Sequence, residues 1–355
     1  MKVLKILSRL KNSLFFWLLL LSMGFSFLFF SDINYELKSA IKNCVYSLLP
    51  SLFPTLLFSS LISSVGCPAV ISRIIHPVMN FLFGIPGNCF TTILVSLLGG
   101  YNIAGRCSLQ MFEKGEIDIV TAKRVAMFFV TPGVSFSVFY TGVSMLGNVK
   151  TGIFLLLSSA AASCFCAFIY NTFHRNNAEN NTSNNNDLFA DIIIKSVNDT
   201  SVAIINIFSW ILLFTVIVTI VKTVFNNTFI ADFIVLFGEI TNSITFCIKS
   251  NSLLLTEFCL SVGGIGIILQ QLPGLRKLGV DIKEYVFITI LRSVIATLIF
   301  RFFSVTLHLV DSIIPAFNRI EMLSSSFTGS SALLLLAVVF ICAVNDIKQE
   351  VIAKL

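Results

Sequence analysis

The chain has 355 residues, of which 56% are hydrophobic and only 12% are charged, and its formal net charge is +6. A soluble globular domain carries roughly 25% charged residues, so this composition excludes an ordinary soluble protein and predicts a helical membrane protein. Basic residues are scattered between apolar runs and are not gathered with aromatic residues, which argues against nucleic-acid binding. We therefore expect the lipid bilayer to surround most of the chain.

The N-terminal region, residues 1–35, predicts a membrane anchor that is retained. Four cations within the first eleven residues precede an uncharged run from Asn12 to Ser31. This run has the roughly 20 residues that a helix needs to cross a bilayer, and no small-residue cleavage site follows it, so a cleaved signal peptide is disfavoured. The positive-inside rule places the basic end in the cytoplasm.

Further uncharged runs cover Cys44–Ser72, Val125–Asn148 and Thr151–Phe173. Because each exceeds the roughly 20 residues of a spanning helix, we predict an all-α polytopic membrane protein with about 8–10 membrane segments. An asparagine-rich tract at 174–190 has too few apolar residues to fold into a core and predicts a flexible linker. It separates a first repeat at 36–173 from a second at 191–311, and a C-terminal membrane segment follows at 312–355.

Glycines suggest the repeat. Three of them recur 164 residues further along the chain, so that Gly99, Gly100 and Gly115 match Gly263, Gly264 and Gly279. Pro-Gly pairs flank the apolar segments that carry the two Gly-Gly pairs, and non-helical backbone at membrane depth persists only where protein or a wet cavity covers it. We predict broken or re-entrant helices at 85–105 and 252–270. Basic residues flank both segments, which leaves parallel and inverted repeats open.

The segment from Gly100 to Cys107 resembles a nucleotide-binding P-loop but lacks its chemistry. Arg106 replaces the lysine that reaches the phosphates, and Cys107 replaces the hydroxyl that ligates magnesium. No serine-histidine-aspartate set, paired carboxylates or metal-ligand spacing stands out, so no enzyme, cofactor or metal site is predicted. The nine cysteines are interpreted as small apolar packing residues.

Polar residues inside the apolar segments are the candidate binding groups. Around Pro132 the sequence fits either a kinked helix or a discontinuous helix that lines a cavity. Glu257 fits either an interfacial carboxylate beside a short loop or a buried group. Arg292 and Arg301 lie on opposite faces of one helix, and Arg292, farther into the span, is the better candidate because intramembrane charge usually faces a partner or a wet cavity.

The predicted site contains many glycines, hydroxyls, amides and arginines and few carboxylates, which favours a small organic anion as the substrate. The candidate binding residues are Gly99, Gly100, Tyr101, Asn102, Arg106, Thr131, Ser135, Asn242, Gly263, Gly264, Gln270 and Arg292.

Three blocks of sequence carry a family resemblance. They are "SLLPSLFPTLLFSSLI" at 47–62, the stretch 85–118 together with 131–152, and "FGEITNSI" at 237–244 together with "SVGGIGIILQ" at 261–270. In this order they resemble the YlbJ-type sporulation integral membrane proteins, which contain nucleoside-recognition (Gate) domains. The resemblance covers residues from about 40 to 310.

The resemblance implies a transporter that moves dipicolinic acid across the outer forespore membrane during endospore formation. Asn102 stands where the family prefers proline, and Gly266 stands where it has a hydroxyl. Two alternatives stay open: a transporter of another small solute such as a nucleoside, and a non-transporting assembly or signalling protein of the sporulating membrane. Candidate protein partners are a second copy of the chain and other sporulation membrane proteins.

Overall fold

The computed structural model describes residues 20, 23–24, 27–174, 189–225 and 229–306, and these residues form helices and connecting turns without any strand. The first half contains α1 (Phe30–Asn43), the π-helical segment π1 (Cys44–Leu48), α2 (Leu49–Val65), α3 (Ala69–Phe83), α4 (Cys89–Gly99), α5 (Tyr101–Glu113), α6 (Ile119–Phe128), the π-helical segment π2 (Ser135–Met145) and α7 (Val149–Phe173). The second half contains α8 (Phe189–Phe225), α9 (Phe229–Gly238), α10 (Ile240–Lys249), α11 (Leu253–Val262), α12 (Gly264–Lys277) and α13 (Ile282–Thr306). Most of the predicted anchor, most of the linker and the C-terminal segment lie outside the described residues.

Long apolar helices make this chain a polytopic integral membrane protein. Five helical stretches have the length and hydropathy to cross a bilayer: Phe30–Val65, Val149–Phe173, Phe189–Val224, Leu253–Lys277 and Ile282–Val305. Large apolar side chains such as Phe287, Leu298 and Phe302 are exposed on their outer faces, where lipid tails replace water as the solvent. The predicted all-α membrane fold is confirmed.

The described elements of the two halves correspond in order and length. Each half opens with a 36-residue helical stretch and closes with a 25-residue helix, α7 or α13. Two interrupted segments lie between these helices: α4–α5 and α6–π2 in the first half, α9–α10 and α11–α12 in the second. Only α3 lacks a counterpart among the described elements. The interruption at Gly100 therefore corresponds to the one at 238–239, which corrects the pairing of the two Gly-Gly motifs suggested by glycine spacing alone.

The first interrupted segment of each half is a hairpin. At the start of α4, Asn88 Nδ2 donates to the carbonyl of Glu116 just beyond α5 at 3.2 Å, and Thr92 Oγ1 lies 3.2 Å from Met111 Sδ. The chain therefore returns on itself at Gly100. α9 and α10 pack against each other in the same way. The second interrupted segments, α6–π2 and α11–α12, show no comparable packing between their two parts, so they carry the chain onward.

Corresponding helices of the two halves run antiparallel. Phe154 near the start of α7 contacts Phe303 near the end of α13, with ring centroids 5.8 Å apart. The end of α2, at Leu61, and the start of α8, at Phe189, likewise line one groove. Of the two orientations left open by the sequence, the described helices therefore adopt the inverted one.

Candidate functional site

In the first half, the tip of the hairpin meets the break between α6 and π2 through backbone. Gly100 and Gly133 have φ values of 96° and 68°, which side-chain-bearing residues rarely adopt. A Cβ on Gly133 would lie 2.6 Å from the nitrogen of Gly100, and a Cβ on Gly100 would lie 3.0 Å from the carbonyl oxygen of Pro132. Thr131 Oγ1 donates to the carbonyl of Ser96 at 3.2 Å. Around Pro132 the structure thus has a discontinuous helix, which the hairpin tip crosses.

The second half repeats this crossing with different residues. A Cβ on Gly264, at the break between α11 and α12, would lie 3.3 Å from the carbonyl oxygen of Gly238 at the hairpin tip. Glu239 then begins α10 as its N-cap, because its Oε2 accepts hydrogen bonds from the backbone nitrogens of Thr241 at 2.9 Å and Asn242 at 3.1 Å. A carboxylate in this position also interacts favourably with the helix dipole.

Two side-chain hydrogen bonds join the interrupted segments of the two halves. Tyr101 Oη donates to the carbonyl of Leu260 at 2.5 Å, and Asn102 Nδ2 donates to Gln270 Oε1 at 2.7 Å. Leu260 lies in the last turn of α11, where carbonyls have no partner within the helix. Tyr101 therefore caps the broken end of a helix in the other half, and the predicted segments 85–105 and 252–270 meet. We call this meeting point of the interrupted segments the junction.

Glu257 is the most buried acidic group at this junction, with 0% of its surface exposed. Its Oε1 accepts hydrogen bonds from Ser158 at 3.1 Å, Ser159 at 2.9 Å and Ser261 at 3.1 Å. Its other oxygen, Oε2, is buried and has no hydrogen-bond partner among the described residues. Of the two interpretations that the sequence allowed for Glu257, the buried group is therefore the observed one.

Arg292 supplies a buried positive charge next to the same helix end. It is 2% exposed, and its Nη2 donates to the carbonyl of Ser261 at 3.4 Å, while Nη1 is buried without a partner among the described residues. Arg292 makes no ion pair with a described carboxylate, and a buried charge without a counter-ion is costly. Arg301 is exposed on the opposite face of α13.

Several other buried polar atoms follow the interruptions and have no hydrogen-bond partner among the described residues. They are Asn102 Oδ1, Ser135 Oγ, Ser137 Oγ, Asn242 Nδ2 and Gln271 Nε2. Most buried polar groups in folded proteins are hydrogen-bonded. Together with Glu257 Oε2 and Arg292 Nη1, these unpaired atoms on the interrupted segments and α13 make the junction the candidate site for a polar ligand.

The structure places eleven of the twelve predicted residues at or beside the junction. They are Gly99, Gly100, Tyr101, Asn102, Thr131, Ser135, Asn242, Gly263, Gly264, Gln270 and Arg292. Arg106 differs from them. It lies four residues beyond Asn102 on α5, about 6 Å farther along the helix axis. It is half-buried, and its side chain makes no ion pair with a carboxylate of the described residues.

Glu257 and its serine neighbours were not among the predicted binding residues. A serine pair at 158–159, in the middle of an apolar helix, was only a weak signal, because such a hydroxyl can also bond to its own helix, as Ser158 does to the carbonyl of Phe154 at 2.7 Å. No group of three or more His, Cys, Asp or Glu side chains arranged to hold a metal ion occurs in the described part of the chain. Comparison with family models, curated proteins and solved structures finds no match to this chain.

Proposed function

We propose that this protein is a transporter of a small organic anion, with dipicolinic acid as the solute and the outer forespore membrane as the location. One observation carries the proposal: four interrupted membrane segments converge on a buried polar junction that holds Arg292 with a free guanidinium nitrogen. Interrupted helices within inverted repeats form the substrate sites of many secondary transporters. Backbone breaks of this kind are tolerated in a membrane only where they line a cavity or are covered by protein.

Arg292 and the helix N-termini are the groups at the junction that favour an anion. The guanidinium of Arg292 offers planar donors that suit a carboxylate. The N-termini of α5, π2 and α12 begin at the interruptions, and the positive ends of their dipoles favour negative charge. Only the N-terminus of α10 is already occupied by a carboxylate of the chain itself, that of Glu239.

Aromatic side chains beside the hairpin tip suit a planar ring. Tyr101, Phe136 and Tyr140 form a chain of edge-to-face contacts, with ring centroids 6.2 and 5.2 Å apart. A ring bearing two carboxylates, such as dipicolinate, would contact these side chains through its faces and Arg292 through its charge. The resemblance of the sequence to YlbJ-type sporulation proteins supports the choice of solute and membrane.

Reconstituted vesicles test the proposal. Purified protein in liposomes loaded with unlabelled dipicolinate should take up labelled dipicolinate by exchange. Arg292→Gln should abolish this exchange, whereas Arg301→Gln, which removes an exposed arginine from the same helix, should retain it. Melting temperatures of both variants establish that they are folded. Equal exchange by the two variants would refute the role of Arg292.

An inert wild-type protein would refute dipicolinate transport. Labelled nucleoside exchange in the same vesicles would then support a transporter of another solute. Vesicles inert to both solutes, together with a stable membrane-protein partner recovered with the chain, would support the assembly protein instead.

A further inference from the structure

Glu257 has a hydrogen-bond arrangement that the binding of an anion does not explain. Three hydroxyl oxygens lie within hydrogen-bond distance of a single carboxylate oxygen, and two of them, Ser159 Oγ and Ser261 Oγ, also lie 2.8 Å from each other. These serines come from α7 and α11, so the arrangement joins the two halves of the chain. The second oxygen, Oε2, is left free within the buried junction.

The groups that face Glu257 do not neutralise it. From α13, Arg292 directs Nη2 to the carbonyl of Ser261 and makes no ion pair with the carboxylate. From α5, Tyr101 donates to a backbone carbonyl, and on α10 Cys247 contacts Cys259, which lies about 200° around α11 from Glu257. From α7, the nearest groups are serine hydroxyls. A carboxylate in such surroundings is costly to bury as an anion, so a proton or a bound cation must offset its charge.

We propose that Glu257 is the proton-coupling group of the transporter, an inference that rests on the proposed function. The three hydroxyls lie 2.9–3.1 Å from Oε1, which are hydrogen-bond distances. Ser158 Oγ also lies 2.7 Å from the carbonyl of Phe154, and Ser159 and Ser261 share a hydrogen bond, so the carboxyl group and the three hydroxyls form one proton-sharing network. Oε2 remains as the atom that accepts and releases the proton.

The coupling follows from the position of Ser261 between the two charged groups. Its hydroxyl donates to Glu257, and its carbonyl accepts from Arg292, so an anion at the guanidinium lies near the carboxylate. Protonation of Glu257 on one side of the membrane removes a negative charge that would repel the anion. Solute and proton then cross together, and deprotonation on the other side promotes release of the solute. No bond within the solute forms or breaks. Such mutual dependence is a coupling free energy between two sites.

A pH gradient distinguishes coupling from transport itself. Wild-type vesicles with an acidic exterior should accumulate labelled dipicolinate above the external concentration. Glu257→Gln should only equilibrate dipicolinate, with exchange that no longer varies with pH, because glutamine keeps the shape of a protonated glutamate. Glu284→Gln, an exposed glutamate in the first turn of α13, is the matched control and should accumulate normally. Accumulation by Glu257→Gln equal to that of the control would overturn the proposal, as would accumulation that a sodium gradient drives in place of protons.

Infrared spectroscopy of the purified protein tests the proton without any solute. The wild type should show the carbonyl stretch of a buried protonated carboxylic acid. This band should be absent in Glu257→Gln and shifted in Ser159→Ala, which loses one of the three donors. Absence of the band from the wild type would overturn the proposal, whether or not transport occurs. Absence of dipicolinate exchange by the wild type would instead refute the proposed function, so the two failures are distinguishable.

Discussion

Tyr101→Phe tests whether the two halves are joined as described. The substitution removes only the hydroxyl that donates to the carbonyl of Leu260 at 2.5 Å. The ring stays, and with it the edge-to-face contact with Phe136 at 6.2 Å. The loss therefore isolates one hydrogen bond between α5 and the broken end of α11.

The expected loss of folding stability follows from the burial of the carbonyl group that Tyr101 contacts. Leu260 is fully buried, and its carbonyl lies where α11 ends, so no helical N–H replaces the lost donor. Leaving a buried acceptor unpaired costs about 1–3 kcal/mol. Tyr35→Phe is the matched control, because Tyr35 is 74% exposed on α1, and surface substitutions usually change stability by about 0.5 kcal/mol or less.

Reversible unfolding in mixed micelles, with increasing fractions of a denaturing detergent, measures both variants against the wild type. We expect Tyr101→Phe to unfold at a clearly lower fraction of denaturing detergent than Tyr35→Phe. Identical transitions for the two variants would refute the reasoning, because they would mean that the carbonyl of Leu260 keeps a partner without Tyr101.

Three further experiments test the backbone crossing, the second side-chain contact between the halves, and the helix ends that Arg124 contacts. Gly133→Ala should destabilise the protein or prevent folding, since its Cβ would lie 2.6 Å from the backbone nitrogen of Gly100. Gly105→Ala should be tolerated, because no atom lies within 4 Å of its Cβ. Equal expression and equal melting temperatures of the two variants would contradict this reasoning. A double-mutant cycle with Asn102→Ala and Gln270→Ala should give a coupling energy of about 0.5–3 kcal/mol, and additive effects would refute the 2.7 Å contact. Arg124→Gln should lower the melting temperature, because Arg124 donates to the carbonyl groups that end α3 and α7; an unchanged value would show that these ends need no cap.

The glycine-rich interruptions could be predicted because their cause is local. Gly100 and Gly264 adopt φ values of 96° and 80°, and a pair of glycines in an apolar run is a direct signal of such backbone. The sequence around Pro132 allowed two forms, and the choice between them depended on the hairpin tip that occupies the break. The interruption before Glu239 gave no such signal, because glutamate is not among the common N-cap residues.

The local sequence did not predict which charged side chains belong to the junction, as Glu257 and Arg106 show. The short loop expected near Glu257 is present, between Lys249 and Leu253. Glu257 nevertheless lies more than one helical turn beyond it, and its partners on α7 are almost a hundred residues away in sequence. Arg106 shows the reverse case. Its proximity to the glycines in sequence suggested a place in the site, but α5 begins at Tyr101 and carries Arg106 away from the junction.

The junction is held together by backbone contacts within each half and by side-chain contacts between the halves. This difference determines which positions of the site can change during evolution. Each hairpin tip is supported within its own half by backbone against glycine, as at Gly133 and Gly264, where almost any substitution is excluded. Contacts between the halves use side chains, as in Asn102 with Gln270, which can be exchanged in pairs while the backbone crossing stays intact. New solute preferences can therefore arise in this architecture by substitutions at the inter-half positions, with the glycine framework left in place.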